Sequence, residues 1–82
     1  MKSIEDLNEE EIDNFYTLIG KNVKKYRTQK GYSQLQLSYA LGHKSVGLVS
    51  QSELYLNKQH FNIKHIYQIA FILDVDICEF FK

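Results

Sequence analysis

His43, His60 and His65 are the three side chains best suited to bind a metal or move a proton near neutral pH. A helical metal site needs two histidines about a turn apart on one face, and these three form no such tight pair. The single cysteine, Cys78, lies far along the chain, so no internal disulfide and no cysteine-based zinc site can form. It is expected as a small core residue. No Ser/His/Asp arrangement, paired-carboxylate site or Gly-rich phosphate loop is present. No catalytic residue, metal or cofactor is therefore expected. Tyrosines can stack on single-stranded bases, but Tyr26, Tyr32 and Tyr39 read better as helix packing.

Charge distribution is more informative than its sum. The net charge is zero over 82 residues. Residues 1–13 hold six acids (Glu5, Asp6, Glu9, Glu10, Glu11 and Asp13) against Lys2, a net −5. Residues 14–82 hold nine bases against Glu53, Asp74, Asp76 and Glu79, a net +5. Between residues 14 and 65 the only acid is Glu53, against eight Lys and Arg. A basic middle with acidic ends can mark a nucleic-acid surface.

The elements that must position these residues are helical. Asn8 and Glu11 form a capping box, so a helix starts near Glu9. Ile12, Phe15, Ile19, Val23 and Tyr26 recur in steps of three and four, a helical stripe. Gly20 inside it costs about 1 kcal/mol relative to Ala, and Gly31 is a natural stop. Ser33 with Gln36 opens a second helix, with Leu35, Leu37, Ala40 and Leu41 on its apolar side, and Gly42 ends it. Ser45 is the next N-cap candidate. A third helix is expected over about Val46 to Leu56, with Leu48, Val49, Ser52 and Leu56 inward and Gly47, Ser50, Gln51 and Leu54 on the other face. Asn57 to Phe61 reads as a loop. Asn62 caps a fourth helix carrying Ile63, Ile66, Ile69, Ala70 and Leu73, and Asp76 caps a short fifth, Ile77 to Phe81. No strand alternation appears.

With 44% hydrophobic residues, no Pro and one Cys, the composition fits one small globular domain. It excludes collagen-like, disulfide-scaffold and membrane-spanning classes. The size argues against a multi-domain enzyme. The acidic start is not expected to be a secretory signal.

From Ile19 to Phe81 the chain resembles the Cro-like, XRE-type helix-turn-helix domain of lambdoid phage repressors and many small bacterial regulators. The matching text is Val23-x-x-x-Arg27, Gly31-Tyr32-Ser33-Gln34-x-x-Leu37, Leu41-Gly42, Val49-Ser50-x-x-Glu53 and Ile63-x-x-Ile66-x-x-Ile69-Ala70-x-x-Leu73-x-Val75. The resemblance implies an all-α, compact five-helix bundle of the lambda-repressor-like type. It makes residues 14–82 the DNA-binding domain, with the helix-turn-helix at about 33–56, and residues 1–13 an acidic extension. Most simply, that extension lengthens the first helix.

The resemblance also assigns roles. The third helix would enter the major groove, which admits one α-helix. Gln51 would donate and accept at an adenine edge, Val46 would meet a thymine methyl, and Ser50 and Gly47 would complete the reading face. Gln34, Lys44, Ser45, Asn57, Lys58 and Gln59 would hold phosphates. Arg27 and Glu53 resemble the family's partly buried ion pair, which fixes the reading helix. The chain departs from the family in several places, among them Phe71, where a charged residue is common, and a loop after Tyr55 that is two residues longer. The turn from Gly42 to Val49 is one residue longer. Ser38 replaces a usual Ala, a change tolerable if its hydroxyl bonds back to the helix. Ser52 replaces an apolar core residue. Tyr55 stands where Gly is frequent, so the third helix is expected to overrun to a left-handed stop at Asn57.

Tyr67, Phe71, Ile72, Phe80 and Phe81 are expected to form an apolar interface for a twofold homodimer. That would place two reading helices roughly 34 Å apart on a palindromic operator. The expected function is a sequence-specific double-stranded DNA-binding regulator, a repressor or autoregulator, in the bacterial cytoplasm. The alternative is an antitoxin or other protein-binding module. It would hold a toxin or another small protein, use residues 1–13 as the toxin-facing or self-masking part, and bind DNA only for autoregulation.

Overall fold

Asn8 starts the longest element of the computed structural model, which describes all 82 residues. Its side chain accepts the Glu11 amide at 2.8 Å, and the Glu11 carboxylate takes the Asn8 amide in return. The resulting helix α1 (Glu9–Gln29) runs unbroken through position 13, so Glu9 to Asp13 are its opening turns. Then follow α2 (Gln34–Ala40), α3 (Gly47–Leu54) and α4 (Ile63–Leu73). Single-turn 3-10 elements stand at Ile4–Asp6, Leu56–Lys58 and Ile77–Phe81, and no strand is present. No helix is long and apolar enough to cross a membrane.

Local chemistry sets most boundaries. Gly31 takes φ +81°, its amide reaches Thr28 O at 3.1 Å, and the Tyr32 amide reaches Arg27 O at 3.0 Å. That is a Schellman stop, which needs a residue tolerant of left-handed backbone. Gly42, at φ +86°, repeats it on α2. Ser33 with Gln36 and Asn62 with His65 form the expected caps of α2 and α4. Ser38 is buried, and its hydroxyl donates back to Gln34 O at 2.8 Å.

Two elements differ from the sequence expectation. Helix α3 is shorter than Val46 to Leu56. Its N-cap is Val46, without a side-chain cap from Ser45, and it stops at Tyr55, whose φ is 52°. The Tyr55 ring stacks on Tyr16 and its hydroxyl bonds Asp13, so contacts with α1 favour a left-handed turn two residues before Asn57. The last element is a 3-10 helix, not an α-helix. Asp76 caps it by accepting the Cys78 amide at 2.9 Å, a bond that holds its carboxyl below the usual carboxylate range.

The core is built from Ile19, Val23, Leu37, Val49, Phe61, Ile66, Ile69, Ala70, Leu73 and Phe80. Phe80 is therefore a core residue and not an interface residue. In a 3-10 helix residues three apart eclipse, which turns Phe80 inward with Ile77 and leaves Cys78 exposed instead of buried. Helix α1 fixes this turn further: Asn22 donates to Phe80 O at 3.0 Å, and the Tyr26 hydroxyl donates to Glu79 at 3.1 Å. Phe81 is half-buried and stacks on Phe15 at 6.0 Å, away from the expected interface. Leu35, Tyr39, Leu56 and Ile63 are exposed, not packed.

Gly20 has a role beyond its helix-propensity cost. It is buried where α1 crosses α3, and a Cβ added there would lie 2.4 Å from Ser52 O and 2.7 Å from Glu53 O. These carbonyls are backbone and cannot swing away. Propensity alone makes Gly20→Ala favourable by about 1 kcal/mol; the clash reverses the sign. Gly20→Ala is expected to lose about 1–3 kcal/mol in urea unfolding. A variant as stable as the parent would show that α1 and α3 are not pressed together here.

Candidate nucleic-acid interface

The site is built from the back of α3 outward. Arg27 on α1 is 8% exposed and Glu53 on α3 is 3% exposed. They meet in a two-pronged contact: Arg27 Nε donates to Glu53 Oε2 at 2.7 Å, and Nη2 donates to Oε1 at 3.1 Å. The third guanidinium nitrogen, Nη1, donates to Tyr32 O at 2.8 Å. Gln34, at the start of α2, donates its side-chain amide to Glu53 Oε1 at 3.0 Å. Both charges are thus paired and hydrogen-bonded, the condition for keeping them inside. Removing one partner of such a buried pair costs roughly 3–5 kcal/mol.

With α3 fastened from behind, its outward face is small and polar over its first turns, and Leu54 at its last position is 65% exposed. Gln51 is exposed, and Gly47 and Ser50 are half-exposed. The Ser50 hydroxyl turns back to Gly47 O at 3.3 Å. Val46 stands at the N-cap, 36% exposed. Lys44 and Ser45 are exposed on the turn before α3, and Asn57, Lys58 and Gln59 are exposed on the turn after it. The expected polar residues therefore bracket one short helix. Gln34 differs from the expectation of a free contact, because one of its amide hydrogens is already held by Glu53.

The turn after α3 carries contacts that the spacing did not reveal. The Tyr55 hydroxyl donates to Asp13 Oδ1 at 2.8 Å, and Lys58 Nζ lies 3.8 Å from the same oxygen. Burial first, then the Asp13 hydrogen bond and charge, push the Tyr55 phenol up to about 12. Tyr16 stacks on Tyr55 at 5.4 Å and on His60 at 4.1 Å. The only signal in the sequence was the aromatic character of Tyr16 and Tyr55, which does not specify a partner.

The histidines do not converge. No group of three or more His, Cys, Asp or Glu side chains could hold a metal. His43 and His65 meet edge to face at 5.9 Å, while His60 stacks on Tyr16. No protein-family model matches the chain, and no curated protein matches it.

His65 provides a pH test of the fold around this site. Its Nδ1 accepts the Asn62 amide at 3.2 Å, which requires that nitrogen to be unprotonated. Desolvation, followed by the charges of His43, Lys64 and His60, lowers its pKa from 6.5. The folded state thus binds this proton more weakly than the unfolded state. Stability from His65 is complete above about pH 6.5 and falls as the pH drops toward the lowered folded value. His65→Gln keeps an acceptor at the capping position and removes the titration. It is expected to lose less melting temperature between pH 7 and pH 5 than the parent. An equal loss would assign the acid sensitivity elsewhere.

Proposed function

We propose that the chain is a sequence-specific double-stranded DNA-binding regulator, with α2, the turn and α3 working as a helix-turn-helix of the Cro-like, XRE type. One observation carries this reading. An eight-residue helix, too short to be stable alone, is held by a buried ion pair and turns Gly47, Ser50 and Gln51 outward. A major-groove reader needs a rigidly placed helix with a small, polar outer face. Gln51 is assigned the base contact, with Ser50, Gly47 and Val46 beside it. Lys44, Ser45, Asn57, Lys58 and Gln59 are assigned phosphates, which fix register without reading sequence. Steric occupation of promoter DNA is the proposed mode of action.

The decisive comparison is salt-dependent binding to the DNA upstream of the chain's own gene and to a random duplex. The upstream site is expected to bind at least about 10³-fold tighter. Gln51→Ala is expected to erase that preference while leaving the salt slope, because the slope counts phosphates. Equal, weak binding to both duplexes would sink the regulator reading.

A homodimer is part of the proposal. On α4, Tyr67 is 70% exposed and Phe71 is 83% exposed. They form a ridge with an apolar groove on each side: one reaches Ala40 and Ile72, the other Val75 and Ile77. A ridge beside a groove is self-complementary under a twofold axis. Ile72 lies at the base of one groove, so the interface is proposed around Tyr67, Phe71 and Ile72, without Phe80 and Phe81. Phe71→Lys is expected to stay folded and sediment as a monomer while the parent sediments as a dimer. A monomeric parent would remove the twofold and favour the alternative reading, in which this ridge receives a toxin or another unlike protein.

A further inference from the structure

The turn after α3 is the most constrained exposed stretch of the chain. Within four residues, Tyr55, Asn57 and Lys58 take left-handed φ values of 52°, 52° and 62°. That backbone suits Asn57 but is unfavourable for Tyr55 and Lys58, so neighbouring structure must hold those two. The holder is the opening half of α1. Asp13 Oδ1 accepts the Tyr55 hydroxyl at 2.8 Å and faces Lys58 Nζ at 3.8 Å. Tyr16, one turn further on, lies against the Tyr55 ring with the planes 16° apart. A neutral hydroxyl and an ammonium thus converge on one carboxylate oxygen. Tyrosine hydroxyls and lysine ammoniums are also donors that proteins direct at phosphate oxygens.

We propose that Asp13 is a built-in competitor for polyanions at this turn, its carboxylate standing between Tyr55 and Lys58 where a nucleic-acid phosphate would otherwise sit. The inference rests on the duplex-reading surface proposed above. It gives the acidic start of α1 a function: any polyanion must displace the carboxylate to reach Lys58, and a duplex engaged by α3 as well does so more readily than a polyanion held by loose contacts alone. The exchange is accessible, because the Lys58 side chain is 68% exposed and that of Asp13 is 34% exposed. Exposed pairs of this kind are weak, so the device sets a threshold and not a lock.

The test uses the full chain with heparin and a random duplex as probes. Asp13→Asn keeps an oxygen that can accept from Tyr55 and removes the charge facing Lys58. Glu10→Gln makes the same charge change at an exposed acid of α1 that has no hydrogen bond or ion pair. Asp13→Asn is expected to need more salt for elution from heparin than Glu10→Gln does. It should bind the random duplex about twofold to fivefold tighter than that control, with a salt slope steeper by about one phosphate. In a Lys58→Ala background the extra gain should vanish. Equal behaviour of Asp13→Asn and Glu10→Gln on heparin would overturn the proposal. A heparin gain with no preference of the parent for its own upstream DNA would keep the competitor and discard the regulator. Independently of any variant, the Asp13 carboxyl carbon resonance of the parent should move as a heparin fragment is titrated in. A resonance that stays put while the fragment binds would also overturn it.

Discussion

Glu53 is the only acid between residues 14 and 65, and three helices meet at its carboxylate. Arg27 reaches it from α1, Gln34 from α2, and Glu53 itself belongs to α3. The same guanidinium ties the Tyr32 carbonyl, so the turn between α1 and α2 is part of the junction. Helices of seven and eight residues have almost no stability of their own. Their positions come from what they touch. The directional contacts are this hydrogen-bonded pair and the close crossing at Gly20. A buried ion pair is weak evidence of net stability, because desolvation offsets much of its attraction. Its value here is geometric: it permits one rotation of α3 about its axis, the one that turns Val49, Ser52 and Glu53 inward and Gln51 outward.

Ser52 sharpens this point. It is 1% exposed, and its hydroxyl has no hydrogen-bond partner. An orphaned buried hydroxyl costs roughly 1–3 kcal/mol, so the inner face of α3 adheres less well than an apolar one would. The helix is held by Glu53 and Val49 in spite of Ser52. Little redundancy remains, which makes the orientation of the outer face unusually dependent on the ion pair.

Elements whose ends are decided locally were legible in the sequence. Asn8, Ser33 and Asn62 cap through bonds to residues three positions away, and Gly31 and Gly42 stop helices because they lack a Cβ. Arg27 and Glu53 were readable as a pair through the family resemblance, which the position of Glu53 as a lone acid in a basic stretch supports. Features decided by distant contacts were not legible. Tyr55 ends α3 because of Asp13 and Tyr16, some forty residues earlier. Phe80 is core and Cys78 exposed because the last element winds with three residues per turn, and no local cap distinguishes that winding from an α-helix. Gly20 was visible only as a propensity cost. Its reason lies in carbonyls of another helix.

The same separation explains why charge arithmetic alone was ambiguous. Residues 1–13 and the rest of the chain cancel in sum, but cancellation in sequence is not cancellation in space. Glu9, Glu10 and Glu11 are exposed in the first turn of α1, at least ten residues before Lys21, about 15 Å or more at 1.5 Å per residue, which is longer than the ~8 Å over which physiological salt leaves exposed charges coupled. Lys21, Lys24 and Lys25 therefore remain a basic face that these acids do not neutralise, whereas Asp13 meets a base directly. What the acids do to the basic middle of the chain is thus decided by Asp13 and the turn it holds, and the formal neutrality of the chain says little about the surface beside α3.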